Sequence, residues 1–153
     1  MDARIRLAQE IDTDELVQMM ASLWPDAAMD ELRLELISAL NRESAGSVPS
    51  AMLVARGDDD SLIGFLEVGL RSHADGCNTA RPVGFVEGWF VKESFRGRGV
   101  GTALMRAAEE WARVQGCLEM ASDALIDNDG SLKAHEALGF EVVDRCVHLR
   151  KDL

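Results

Sequence analysis

The chain reads Arg96-Gly97-Arg98-Gly99-Val100-Gly101-Thr102 where an apolar run gives way to a helical pattern. Glycines lack Cβ atoms and let a ligand come close to the backbone. The unpaired N–H groups that open a helix point outward at the positive end of its dipole. Two arginines add planar, permanently charged forks that suit phosphate oxygens. Together they describe a seat for a phosphorylated ligand; the alternative is a glycine turn with solvated arginines. Just upstream, Glu87 is embedded in the apolar run VGFVEGWFV. Carboxylates rarely enter such a run without a partner.

Two common phosphate loops fit this stretch poorly. GxxxxGK[ST] requires a lysine that is missing here. A dinucleotide fingerprint would need glycine at Thr102 and would normally open its domain, whereas this loop lies past the middle of the chain.

The bulk properties narrow the partners. A formal net charge of -11 argues against nucleic acid and anionic membrane and favours cationic ligands, although solubility alone explains such a charge. Cys77, Cys117 and Cys146 form no CxxC pair, so reduced thiols in a cytoplasmic protein are expected and a metal site is not. No apolar run is long enough for a signal peptide or a membrane span. With 153 residues and no linker or repeat, one domain over residues 1–153 is expected.

The elements that must position these residues follow from periodicity. RIRLAQ alternates as a strand. Leu16, Met19, Met20 and Leu23 have helical spacing, with Asp12 and Glu15 as a capping box, and Pro25 ends that helix. Leu32, Leu36 and Leu40 mark a second helix that fades into RESAGSVPS. AMLVAR and LIGFLEVGL form a hairpin about GDDD, and RSHADGCNTARP is a loop. VGFVEGWFV is apolar on both faces and therefore a central strand, on which alternation puts Glu87 with Phe85 and Trp89. Val100, Leu104, Ala108 and Trp111 mark a helix ending near Gly116. CLEMASDA is a buried strand, NDGSLKAHEALGF a short helix closing at Gly139, and EVVDRCVHLRK a long final strand. The order is β-α-α-β-β-β-α-β-α-β, a mixed α/β domain.

Arg96-x-x-Gly99-x-Gly101, after a strand and opening a helix, is similar to the acetyl-CoA pyrophosphate loop of the GNAT N-acetyltransferases. Asn128 together with Leu138-Gly139-Phe140 resembles that family's N-x(11)-F signature, and the element order is the family's order. Within the family, SLWP, VEGWFV, ASDA and HEALGF resemble the aminoglycoside 6'-N-acetyltransferases.

The resemblance implies the GNAT fold and direct acetyl transfer, in a ternary complex, from acetyl-CoA to the 6'-amine of an aminoglycoside, without a metal. Arg96, Gly97, Arg98, Gly99, Val100, Gly101, Thr102 and Asn128 would hold the co-substrate. A splay at Phe90–Val91 would receive its pantetheine arm and supply an N–H to the thioester oxygen. Glu87 and Asp123 become acceptor-site carboxylates, with Asp144 on the last strand as a third. Their alternatives are an ion pair with a buried arginine for Glu87, a loop cap for Asp123, and a solvent-facing position for Asp144. Trp24 either packs in the core or forms a wall for a sugar ring, and His73 lies where the subfamily often has an aromatic contact. A tyrosine that many members carry seven residues after the asparagine is replaced by His135, either a proton donor to the leaving thiolate or a helix-surface residue. Related enzymes pair through C-terminal strands, so residues Glu141 to Arg150 would provide a homodimer edge or complete the chain's own sheet. Rival readings are an acetyltransferase for another amine (a polyamine, an amino acid or a protein lysine) and an acyl-CoA-binding sensor without turnover.

Overall fold

In the computed structural model, which describes residues 3–41 and 48–153, the local signals become elements at close to their expected bounds. RIRL forms β1 (Arg4–Leu7), followed by helices α1 (Thr13–Leu23) and α2 (Met29–Leu40). The hairpin is β2 (Ser50–Arg56) and β3 (Leu62–Arg71), and the apolar run is β4 (Val83–Val91). Helix α3 (Val100–Val114), strand β5 (Met120–Ser122) and helix α4 (Asp129–Ala137) complete the order. Most of RESAGSVPS lies outside the described residues. Among the described residues, no helix is long and apolar enough to cross a membrane.

The described strands form one sheet in the order β1-β2-β3-β4-β5, antiparallel except for the parallel β4–β5 pair. Alternation gives the sheet two apolar faces. Met52, Val54, Leu62 and Phe65 pack under α1 and α2 with Leu16, Met20 and Leu36. Ala51, Leu53, Leu66, Val68 and Val86 pack under α3 with Val100, Leu104, Met105 and Ala108. Removing these two apolar faces from water is the main force that holds the strands in place.

Several expectations need correction. The capping box at Asp12 and Glu15 does not form, because both carboxylates have longer-range partners. Asp12 takes two hydrogen bonds from Arg6, at 2.6 and 2.8 Å, and one from Gln9 N. Glu15 Oε2 accepts from Leu62 N at 2.9 Å. CLEMASDA yields only the three half-buried residues of β5, since an edge position leaves one side of that strand to solvent. As a result β4 is not fully central: β5 pairs with it only from Gly84 to Val86.

The predicted final strand is absent. Residues 141–153 are exposed and join no strand of the described sheet, with Val147 at 81% and Leu149 at 91% exposure. Their alternating pattern favours a strand, but such a preference does not by itself pair the segment with the outer edge of β5. The tail therefore does not complete its own sheet.

Glu87 does not share a face with both Phe85 and Trp89. Val68 pairs with Val86 and Glu67 with Gly88, which leaves Glu87 as the extra residue of a β-bulge. Past the bulge the faces exchange. Phe85 packs with Ala74 and Val83, whereas Trp89 packs with the cluster under α3.

Candidate active site

The parallel ladder ends at the pair Val86 and Ser122, yet β4 continues to Val91. The two strands thus open into a fork. Lys92 N donates to Ile63 O at 2.9 Å, on the β3 side. N–H groups of an antiparallel strand alternate in direction, so Val91 and Trp89 turn theirs away from β3, along the stretch that β5 leaves uncovered. Phe90, the other residue of the expected splay, directs its N–H toward β3.

The arginine-glycine loop caps the far end of this free edge. Arg96 Nε donates to Val91 O at 2.9 Å, tying the loop to the strand. Gly97 (φ 71°) and Gly99 (φ 83°) adopt left-handed conformations that other residues enter only with strain, and no atom lies within 4 Å of where a Cβ would stand on either. Gly99 is the residue immediately before α3, Val100 is its first, and the Trp89 ring packs against Gly101. Arg96, Arg98 and Thr102 are exposed, and the first turn of α3 carries no acidic residue. The loop is open to solvent, electropositive and lined with backbone donors. Among the described residues, Trp89 Nε1 is a buried side-chain nitrogen without a partner.

At the other end of the fork stand carboxylates. Glu87 and Asp123 are the first residues beyond the last pair on their two strands, and both are exposed. Arg71, at the end of β3, embraces Glu87: its Nη2 lies 3.1 Å from Oε1 and 3.0 Å from Oε2, and its Nε 3.2 Å from Oε1. The guanidinium also stacks on Phe85, 3.3 Å from the ring centre. The arginine anticipated as a buried partner is therefore an exposed one. Arg71 and His73 line a cavity of about 560 Å³ with Val48, Leu70, Ser72 and Pro82. His73 is exposed, with Nε2 3.8 Å from Asp75.

Trp24 packs on Phe65 with ring centres 6.2 Å apart, and it covers Gly88, where a Cβ would come within 2.7 Å of its ring. Its core position and its place beside the bulge are compatible, since the indole is only half buried. Asp144 is not brought to the fork: it sits in the exposed tail, where its Oδ1 accepts from Arg145 N. Asn128 is the N-cap of α4, its Oδ1 accepting from Ser131 N at 3.1 Å.

His135, near the end of α4, is not a free surface residue. Its Nε2 lies 2.8 Å from Ser122 Oγ and its Nδ1 2.7 Å from Ser131 O. The ring meets Trp89 and Phe140 edge-on, with both centres 5.2 Å away. Cys117 is buried, and burial raises its thiol above the usual range, which disfavours a nucleophilic thiolate. Sequence reasoning missed Arg71 and Ser122. Arg71 carried no local signal, while Ser122 adjoined Asp123 in ASDA without any indication of a histidine partner.

The chain matches the model of the acetyltransferase (GNAT) family over residues 10–140. It is 39% identical to the aminoglycoside N(6')-acetyltransferase type 1 of Klebsiella aerogenes, over 97% of this chain and 96% of that one. It is 38% identical to the enzyme of the same name from Stenotrophomonas maltophilia, over 97% and 93%. Among solved structures, AAC(6')-Iy in complex with the bisubstrate analogue CoA-S-monomethyl-acetylneamine superposes with a TM-score of 0.87 at 34% identity, covering 100% of each chain. The 6'-N-acetyltransferase AAC(6')-Ih of Acinetobacter baumannii also gives 0.87, at 30% identity and 99% coverage of each.

Proposed function

The chain belongs to the GNAT acetyltransferase family, and on that premise we propose that it transfers the acetyl group of acetyl-CoA directly to the 6'-amine of aminoglycosides. One observation carries the reading: the free edge of β4 is flanked by carboxylates at one end and by an open, electropositive loop at the other. From Glu87 to Val91 that edge spans roughly 13 Å, at about 3.3 Å per residue. A polycationic sugar suits the first end and a diphosphate the second.

The residues present fit acetyl-CoA as co-substrate. The loop from Arg96 to Thr102 offers helix-opening N–H groups with no Cβ in the way at Gly97 and Gly99. Arg98 supplies charge, and Asn128 orders the start of α4 on the opposite side of the fork. The pantetheine arm would lie along β4 as an added strand, held by the N–H of Val91. The N–H of Trp89, nearer the carboxylates, would stabilise the thioester oxygen as it gains charge. Glu87 and Asp123 would bind acceptor ammonium groups, with the Arg71 guanidinium moving off Glu87 as the sugar arrives. Trp24 and His73 would flank the sugar.

The same reading makes the chain a single cytoplasmic catalytic domain that works as a homodimer. The exposed tail from Glu141 to Arg150, with Val142, Val143, Val147 and Leu149 open to solvent, and the short edge strand β5 support pairing between copies. A chain ending at Phe140 would then sediment as a monomer and the full chain as a dimer.

Thiol release from acetyl-CoA in the presence of kanamycin or tobramycin tests the activity, and product NMR tests the position. Acetylation at the 6'-nitrogen is expected. Turnover only with polyamines, amino acids or protein lysines would replace the acceptor, and binding without turnover would make the chain a sensor.

A further inference from the structure

Ser122 is the last paired residue of β5, so it stands at the apex of the fork, next to Asp123. Its partner there is His135 Nε2, at 2.8 Å. The direction of this hydrogen bond follows from the other ring nitrogen. Nδ1 lies 2.7 Å from the carbonyl oxygen of Ser131, one turn earlier in α4. A carbonyl oxygen only accepts, so Nδ1 carries the hydrogen. In the neutral ring Nε2 is then bare, and the hydroxyl of Ser122 must donate to it. Trp89 and Phe140, each edge-on with ring centres 5.2 Å away, hold the ring in that orientation. The hydroxyl oxygen keeps its lone pairs for a donor arriving in the fork. This extends the donor role expected of His135: in the neutral ring Nε2 first accepts from the fork, and it donates only after taking up a proton.

We infer that Ser122 and His135 form a two-way proton relay for acetyl transfer, a reading that rests on the proposed function. The neutral amine attacks the thioester carbon and the N–C bond forms. The nitrogen, now positively charged, gives a proton to Ser122 Oγ as the serine's own proton passes to His135 Nε2. The C–S bond then breaks, its electron pair going to sulfur. The imidazolium returns its proton to Ser122 Oγ, and the serine's proton passes to the thiolate. Amine and thioester become amide and thiol, and both side chains end as they began. One hydroxyl suffices, because nitrogen and sulfur are bonded to the same carbon when the first proton is taken up, and the thiolate receives the second as it departs from that carbon.

Two measurements test the relay. The first needs no turnover: ¹⁵N NMR of the histidines in the free protein should show His135 with a protonated Nδ1 and a bare Nε2. The opposite tautomer overturns the inference. The second is kinetic. Ser122→Ala should lower kcat about 100-fold, the range of a lost proton-transfer group, while calorimetry finds coenzyme A affinity unchanged. Ser122→Thr, which keeps the hydroxyl, should recover most of that loss. Because the pair acts as a unit, Ser122→Ala combined with His135→Gln should fall no further than either alone. A role confined to anchoring α4 on β5 would lower thermal stability and leave kcat of the folded variant intact, which overturns the relay. Wild-type protein that acetylates no aminoglycoside fails the proposed function and the relay with it. Wild-type protein that does so, with Ser122→Ala retaining full kcat, fails the relay alone.

Discussion

Glu87 in β4 and Asp123 just past the end of β5 each stand one residue beyond the last pair of the parallel ladder, Val86 with Ser122. Two carboxylates thus open the same fork from its two sides, placed there by the end of β5 and by the bulge in β4.

Neutralising either should weaken the enzyme for its cationic acceptor and not for acetyl-CoA. Glu87→Gln and Asp123→Asn should each reduce kcat/KM for kanamycin about 30-fold, corresponding to about 2 kcal/mol for a hydrogen bond to a charged group. Equal losses in the acetyl-CoA and kanamycin parameters would contradict the assignment. The Arg71–Glu87 pair itself is substantially exposed, at 44% and 38% of the two side chains. Its stabilising contribution is then about 0–1 kcal/mol, and Arg71→Gln should leave the Tm nearly unchanged.

Gly99 precedes α3 with φ at 83° and no neighbour within 4 Å of a prospective Cβ. Gly99→Ala therefore meets no clash, only the left-handed backbone strain of about 1–2 kcal/mol. Chemical denaturation should show a loss of that size, accompanied by a raised KM for acetyl-CoA. A full-affinity variant of unchanged stability would show that the loop does not require this conformation.

Gly88→Ala is a different case, because the added methyl would stand 2.7 Å from Trp24 Cη2 and 2.9 Å from Cζ2. Overpacking of this kind costs about 1–3 kcal/mol. The loss should be largely recovered by combining the change with Trp24→Leu, and denaturation midpoints of the two single variants and the double variant measure this. Additive losses would separate the two residues.

Asp12 is held below its ordinary value of 3.8 mainly by the hydrogen bonds from Arg6, assisted by Gln9 N and opposed by burial. Because the folded state binds this proton less readily than the unfolded state, the stabilisation is complete above pH 4 or so and fades as pH falls through the lower folded value. Asp12→Asn should cost about 2 kcal/mol at pH 7. It should also flatten the acid side of the stability profile, as read from urea midpoints between neutral and acid pH.

Much of this arrangement is legible in the amino-acid sequence. Pro82 and Lys92 bracket an apolar run, and β4 occupies the residues between them. The glycines after Arg96 marked the start of α3, and helical spacing located the buried Leu104 and Ala108. The bulge was not legible, because it exists only in the register between β3 and β4; strict alternation therefore put Trp89 on the wrong face. Arg71 lies 16 residues from Glu87, and Ser122 lies 13 from His135, so neither pairing leaves a local trace. The tail pattern EVVDRCVHLRK predicted a final strand that does not form, because alternation sets a preference but does not supply the neighbour that a strand must pair with.

Calorimetric titration of the protein with coenzyme A, beside the same titration of Arg98→Ala, decides whether the loop from Arg96 to Thr102 holds the diphosphate. Saturable one-site binding that weakens with added salt is expected, as for contacts to phosphate, with about a tenfold loss of affinity in the variant. Wild-type protein that takes up no coenzyme A, or Arg98→Ala that binds it as tightly as wild type, would contradict it.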